Sequence, residues 1–265
     1  MKKLSLLLIG LLIFSCSDDE EGNPEGTRLW DIILNETMTS DAASVYKTET
    51  FSFDRSQLIQ RRISQKVLES EINYEADLSY SGNKVTVATE GITLAYELND
   101  EGYAAACTYS TAGQNREYTF SYSPEGYLTQ IDENIGNRHY STTVLAYEDG
   151  DLISVTSSLN GASNTIHYSP SEESSPFYMP CLTLLDTYPF TLHVEALYAG
   201  LLGKAPRHLT ARTRPEGNDN EYTAYTYRFD TKGNLVQIDS RTTGDGKDDY
   251  PYSYPCWRKL SIAIQ

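Results

Sequence analysis

The side chains that most often carry chemistry are sparse in this chain and sit apart from one another. His139, His167, His193 and His208 fall in four different predicted elements, with no His-x-x-x-His pair and no Cys at ligand spacing, so no metal site is expected from them. No Gly-x-Ser-x-Gly elbow, phosphate loop or dinucleotide fingerprint is present. Thr243-Gly244-Asp245-Gly246-Lys247-Asp248-Asp249 carries part of a calcium-loop spacing. Arg241 and Thr243 stand where its first oxygen ligands belong, and the segment reads as an acidic hairpin tip. With 37 Asp and Glu, some carboxylate pair always stands near the separation a glycosidase needs, which carries no weight without a cleft. The expected catalytic set, metal set and cofactor set are therefore all empty.

Two groups of residues do suggest chemistry. Tyr252, Tyr254 and Trp257 lie in Tyr250-Pro251-Tyr252-Ser253-Tyr254-Pro255-Cys256-Trp257, a segment too rich in Pro for a central strand. Its exposed aromatic faces could stack on sugar rings or on Pro-rich peptide, so these three form the candidate binding set; the plainer role is to cap the end of a sheet. Cys181 and Cys256 each follow a Pro in an irregular segment and are the candidate disulfide pair. Two buried free thiols fit equally well.

The elements that must position these groups are strands. Leu94, Tyr96 and Leu98 alternate with Thr93, Ala95 and Glu97; Tyr118, Phe120 and Tyr122 alternate with Thr119, Ser121 and Ser123; Tyr225, Tyr227 and Phe229 alternate with Thr226, Arg228 and Asp230. A period of two marks half-buried strands. Between them recur Asn99-Asp100-Glu101-Gly102, Ser123-Pro124-Glu125-Gly126 and Asp230-Thr231-Lys232-Gly233, each the pattern of a turn closed by a left-handed Gly with a bulge. Shorter connections fall at Ser81-Gly82-Asn83-Lys84 and Glu148-Asp149-Gly150-Asp151. One stretch departs from this: after Pro189, Val194, Leu197, Tyr198, Leu201 and Leu202 take helical spacing, with Gly203 as a stop. The expected fold is all-β, an antiparallel meander forming a strongly curved sheet or incomplete barrel, with one amphipathic helix at about 190–203 packed against it. A two-domain β arrangement is the alternative. Outward strand positions are Thr, Ser, Glu and Arg, which argues against a membrane-spanning barrel.

Lys2 and Lys3 followed by an apolar run from Leu4 to Phe14 form a secretory signal too short to cross a bilayer. Its ending, Ile13-Phe14-Ser15-Cys16, resembles the bacterial lipobox, which implies a lipidated Cys16 as the first mature residue. Ser17-Asp18-Asp19-Glu20-Glu21 and the turn-rich residues after it cannot pack and read as a tether; an acidic tract here resembles the surface-export signal of Bacteroidetes lipoproteins. The organisation is then a lipoprotein signal peptide over 1–15, an acidic flexible tether over 16–27 and a single β-rich domain over 28–265. The implied address is the outer membrane, facing the cell exterior. Without Lys2 and Lys3 the mature chain holds 37 acidic against 19 basic residues, a formal charge of −18. Nucleic acid is excluded as a partner: the one basic pair, Arg61-Arg62, reads as a solvated strand edge.

Aligned on the turn Gly, the segments Tyr122 to Ile131, Phe229 to Ile238, Tyr147 to Val155 and Leu98 to Cys107 share a degenerate repeat. It resembles the tyrosine/aspartate repeats of the RHS type and, together with the lipobox, a family of Bacteroidetes lipoproteins of unknown function with a porin-like fold. That resemblance implies no catalytic residues. Three function classes follow: a binding or scaffold lipoprotein recognising glycan, peptide or an outer-membrane partner; a secreted hydrolase using an unrecognised carboxylate pair; and a carrier of an apolar ligand inside the curved sheet. The first is expected, and the helix's effect on the concave side decides among them.

Overall fold

The computed structural model describes residues 31–39, 44–67, 70–136, 138–177, 179–185, 187–243 and 256–264, with the side chains of 39, 44, 67 and 256–259 left aside. The signal peptide, the tether, Cys16, Tyr252 and Tyr254 lie outside them. So do the side chains of Cys256 and Trp257.

Sixteen antiparallel strands follow in chain order: β1 (Ile32–Thr39), β2 (Ser44–Asp54), β3 (Gln57–Val67), β4 (Ser70–Ser81), β5 (Lys84–Thr89), β6 (Ile92–Leu98), β7 (Ala104–Thr111), β8 (Asn115–Tyr122), β9 (Leu128–Ile135), β10 (Arg138–Glu148), β11 (Asp151–Leu159), β12 (Ala162–Ser174), β13 (His208–Pro215), β14 (Tyr222–Phe229), β15 (Leu235–Thr243) and β16 (Cys256–Ile264). Each pairs with its sequence neighbours, and β1 pairs with β16 from Ile32↔Ile264 to Thr39↔Trp257. The sheet therefore closes into a complete barrel. The incomplete barrel expected from the sequence is corrected here: an open sheet of this many strands would leave two long unpaired edges, and eight register pairs between first and last strand remove both.

The alternation read from sequence sets inside from outside. Leu94 and Tyr96 of β6, Tyr118 and Phe120 of β8 and Val85 and Val87 of β5 are buried in the lumen, while Thr93 and Glu97, Glu117, Thr119 and Ser121, and Asn73, Glu75, Asp77 and Ser79 of β4 face solvent. This is the reverse of a membrane barrel, whose outward face is an apolar band. No described helix is long and apolar enough to cross a membrane.

Chain entry at β1, chain exit at β16 and both ends of the long β12–β13 connection lie at one end of the barrel, called here the proximal end. The Gly-closed turns fall there too. Gly102, Gly126 and Gly233 have φ of +84°, +92° and +83°, and each turn repeats the same pair of backbone bonds, such as Asn99 N–H to Tyr103 O and Gly102 N–H to Asn99 O. A one-residue register shift accompanies each, at Glu97/Leu98, Ser121/Tyr122 and Arg228/Phe229.

Residues 175–207 enter the lumen from the proximal end and fill it as a plug. Backbone bonds tie the plug to the proximal turns: Ala104 N–H to Leu201 O, Lys204 N–H to Gly126 O and Arg207 N–H to Gly150 O. Its regular structure is two 3-10 turns, Leu182–Leu184 and Phe190–Leu192, and one helix, α1 (Val194–Tyr198), of five residues. The expected helix over about 190–203 is thus corrected to a single turn and a half. Gly200, at φ +71°, ends it: Gly200 N–H bonds Leu197 O and Leu201 N–H bonds Ala196 O, the paired closure of a left-handed cap. The apolar spacing of Val194, Tyr198, Leu201 and Leu202 is real, and all four are buried, but the plug is packed inside the barrel. Phe51 of β2 stacks on Tyr198 with ring centroids 3.6 Å apart.

Candidate functional site

Much of the barrel lumen is packed with apolar side chains, but along one side of the plug charged residues point inward. Val45, Lys47, Glu49 and Phe51 share the luminal face of β2 by the period of two, and the pairings Glu36↔Lys47 and Phe51↔Arg61 bring β1 and β3 alongside. Lys47 Nζ lies 2.7 Å from Glu36 Oε2 and 3.2 Å from Glu49 Oε2. Arg61 grips Glu49 Oε1 through Nε and Nη2, both at 2.5 Å, and reaches Glu195 Oε1 of α1 through Nη1 at 2.7 Å. Tyr74 OH of β4 donates to the same Glu195 oxygen at 2.9 Å. Burial alone would lower the Arg61 pKa, but Glu49 and Glu195 carry it above its ordinary value. Burial, then Glu195, raises that of Tyr74. Arg61 is thus no solvated strand edge: it faces the lumen, while its neighbour Arg62 points outward to Glu75.

A second polar cluster pins the far tip of the plug. Glu133 of β9 is fully buried and accepts from Arg116 Nη1 at 2.9 Å, Tyr118 OH at 3.1 Å, Ser141 Oγ at 2.8 Å and Tyr188 OH at 2.5 Å. Four donors satisfy this carboxylate completely, so its role is to hold the plug. Between the clusters sits His193, with Nδ1 2.8 Å from Tyr96 OH and its ring perpendicular to Tyr118 and Phe120 at 4.6 and 5.5 Å. Burial pushes its pKa down to about 3. The other histidines stay apart, His208 against Asp151 and His139 beside Thr142, and no group that could hold a metal ion occurs among the described residues.

Two cavities remain beside the plug. The luminal one, about 130 Å³, is bounded by the Glu36–Lys47–Glu49–Arg61 row on one side, by Leu182, Leu185 and Val194 of the plug, and by Leu209, Tyr225, Tyr227, Ile238 and Leu260 of the wall. The proximal one, about 250 Å³, is lined by Leu128, Leu145, Tyr147, Met179, Leu184 and Leu202, with Phe177 70 % exposed beside it. Cys181 and Tyr198 line both. A third, open depression over β2–β5 is edged by outward polar residues such as Thr48, Arg62, Asn73 and Glu75.

Cys181 carries a free thiol 3.2 Å from Thr183 Oγ1, and burial raises its pKa. The other member of the expected Cys181–Cys256 pair has its side chain outside the described residues. Tyr252 and Tyr254 lie outside the described residues, and of Trp257 only the backbone is described, paired in register with Arg241 and Thr39. The ion row escaped sequence reading because charges at alternate positions look like a solvated face; the signal that could have found it is parity, since Lys47 and Glu49 share a face with Phe51.

A closed antiparallel barrel with an apolar, plugged lumen and a polar exterior defines the class of this protein. The chain belongs to the family described as a domain of unknown function (DUF4595) with porin-like fold, whose model matches residues 51–237. The crystal structure of a porin-like protein from Bacteroides uniformis ATCC 8492 superposes with a TM-score of 0.77 over 89 % of this chain and 96 % of that one, at 24 % identity, which establishes likeness of fold alone. No match was found among curated proteins. The family description carries the porin-like fold and makes no mention of RHS-type repeats; the repeating hairpin turn is a property of the proximal end of the barrel.

Proposed function

We propose that this protein is a non-catalytic binding module, held at the outer membrane by a lipid on Cys16 and facing the cell exterior, with its ligand site in the luminal cavity. The observation that carries this reading is the cavity beside the buried Glu36–Lys47–Glu49–Arg61 row. Desolvated ion pairs seldom add stability over apolar packing, so a row of them lining an opening supports a role in recognition. The polar exterior supports attachment by a lipid anchor, since the strands offer the bilayer no apolar band.

The hydrolase reading has less support. Glu36 and Glu49 both face the cavity, but Lys47 bridges them and Arg61 holds Glu49, so neither is placed to pass a proton to a substrate oxygen. An extended apolar carrier site is also disfavoured, because the plug occupies the concave space such a ligand would need.

Filling the cavity tests the reading. In a small-molecule screen by ligand-observed NMR, Leu209→Trp should abolish the signals of cavity ligands while the thermal midpoint stays within a few degrees of wild type. If every ligand survives that substitution, the cavity is not the site. Loss of a glycan- or peptide-array signal in the Tyr252→Ala, Tyr254→Ala, Trp257→Ala triple variant, with Leu209→Trp unaffected, would transfer the site to those aromatic residues.

A further inference from the structure

We infer that the luminal cavity takes a small uncharged amphiphile, with a hydroxyl or carbonyl oxygen accepting from Lys47 Nζ and an apolar body lying among Leu182, Leu209 and Ile238. The inference rests on the binding reading above and adds the ligand's size, charge and route. Size follows from volume: an apolar cavity of ~150 Å³ admits a benzene-sized molecule, so about 130 Å³ admits roughly five or six heavy atoms.

Charge follows from the ion row. An ammonium has three donors. Lys47 uses two, on Glu36 and Glu49, and its side chain is 22 % exposed, which leaves one N–H for an acceptor in the cavity. The carboxylates Glu36, Glu49 and Glu195 each already hold a cationic partner, Lys47 or Arg61. A carboxylate head would lie against Glu36 and Glu49, and an amine would compete with Lys47 and Arg61 for acceptors they already hold. A neutral oxygen completes the third Lys47 bond at neither cost.

The route follows from the shared wall. Cys181 and Tyr198 separate the luminal cavity from the proximal one, whose rim carries the exposed Phe177, so an amphiphile entering from that end passes the Cys181 thiol. A ligand in the luminal cavity therefore covers that thiol. Cys107 faces the lumen between β6 and β8, does not line either cavity, and serves as an internal control.

The test uses the full chain and three matched probes, 1-butanol, butylamine and butanoate, with two readouts: binding by NMR line broadening, and the rate of Cys181 alkylation by intact mass. Butanol is expected to bind at least about tenfold tighter than either charged probe and to slow Cys181 alkylation while leaving Cys107 unchanged. Leu209→Trp should abolish both effects, and Leu182→Phe provides a second filled cavity should the first variant fold poorly. Butylamine or butanoate binding as tightly as butanol, still sensitive to the filling substitutions, overturns the neutral-head assignment and leaves the binding reading standing. No butanol binding, or binding indifferent to both substitutions and to Cys181, overturns the inference. Insensitivity of every screened ligand to the filled cavity removes the binding reading with it.

Discussion

His193 illustrates how strongly the apolar part of this lumen resists an unpaired charge. Its ring is enclosed by Tyr96, Tyr118 and Phe120, and burial takes its pKa from 6.5 to about 3. A histidine depressed on folding stabilises the fold fully above its unfolded pKa, and that stabilisation drains away as pH falls toward the folded value. At about 1.4 kcal/mol per unit, the window from pH 6.5 to about 3 holds on the order of 4–5 kcal/mol. Asn at 193 places an amide oxygen near the Nδ1 position, keeps a partner for Tyr96 OH and does not titrate. His193→Asn should therefore flatten the fall of the thermal midpoint across that window, measured by differential scanning calorimetry; a variant with the wild-type slope would show that other groups govern acid stability. Sequence inspection placed His193 only as a histidine without a metal partner. Its enclosure depends on three rings from β6 and β8, some seventy to a hundred residues earlier in the chain, which no local pattern reveals.

At the scale of the element, glycine decides where the plug turns. Gly200 and Gly203 both have left-handed φ, +71° and +85°, yet their surroundings differ. A Cβ on Gly200 would meet nothing within 4 Å, whereas one on Gly203 would lie 2.7 Å from the Gly126 carbonyl oxygen and 3.2 Å from the Leu128 nitrogen. Gly200→Ala should cost about 1–2 kcal/mol, the conformational penalty alone. Gly203→Ala should cost clearly more, because backbone must move from the proximal turn, where Lys204 N–H also bonds Gly126 O. Urea titrations compare the two directly, and equal losses would contradict this view of the plug's docking. Local elements of this kind were largely legible in the sequence. The Gly-closed turns, the strand alternation and the apolar face of Val194, Tyr198, Leu201 and Leu202 all follow from short-range spacing. The true helix end was not, since Gly200 and Gly203 stand equally well as stops until the Ala196–Leu201 and Leu197–Gly200 bonds choose between them.

The molecule as a whole is a barrel that keeps its apolar side chains inside and shows water its Asp, Glu, Ser and Thr. Closure was the least legible feature, because the pairing of Ile32 with Ile264 joins residues at the two extremes of the described chain, and nothing local distinguishes a sixteenth strand from a terminal edge. The same closure puts chain entry, chain exit and both ends of the plug at the proximal end. A lipid on Cys16 would then tether the plugged end, joined to β1 by fifteen residues, Ser17 to Asp31, at most about 50 Å when extended. The central claim is that this porin-like barrel works in water beside a membrane and does not span one. Its most direct test is liposome flotation of a chain beginning at Ser17, prepared without detergent. The account predicts a monodisperse protein that stays at the bottom of the gradient; a chain that floats with the liposomes, or that stays in solution only with detergent, would contradict it.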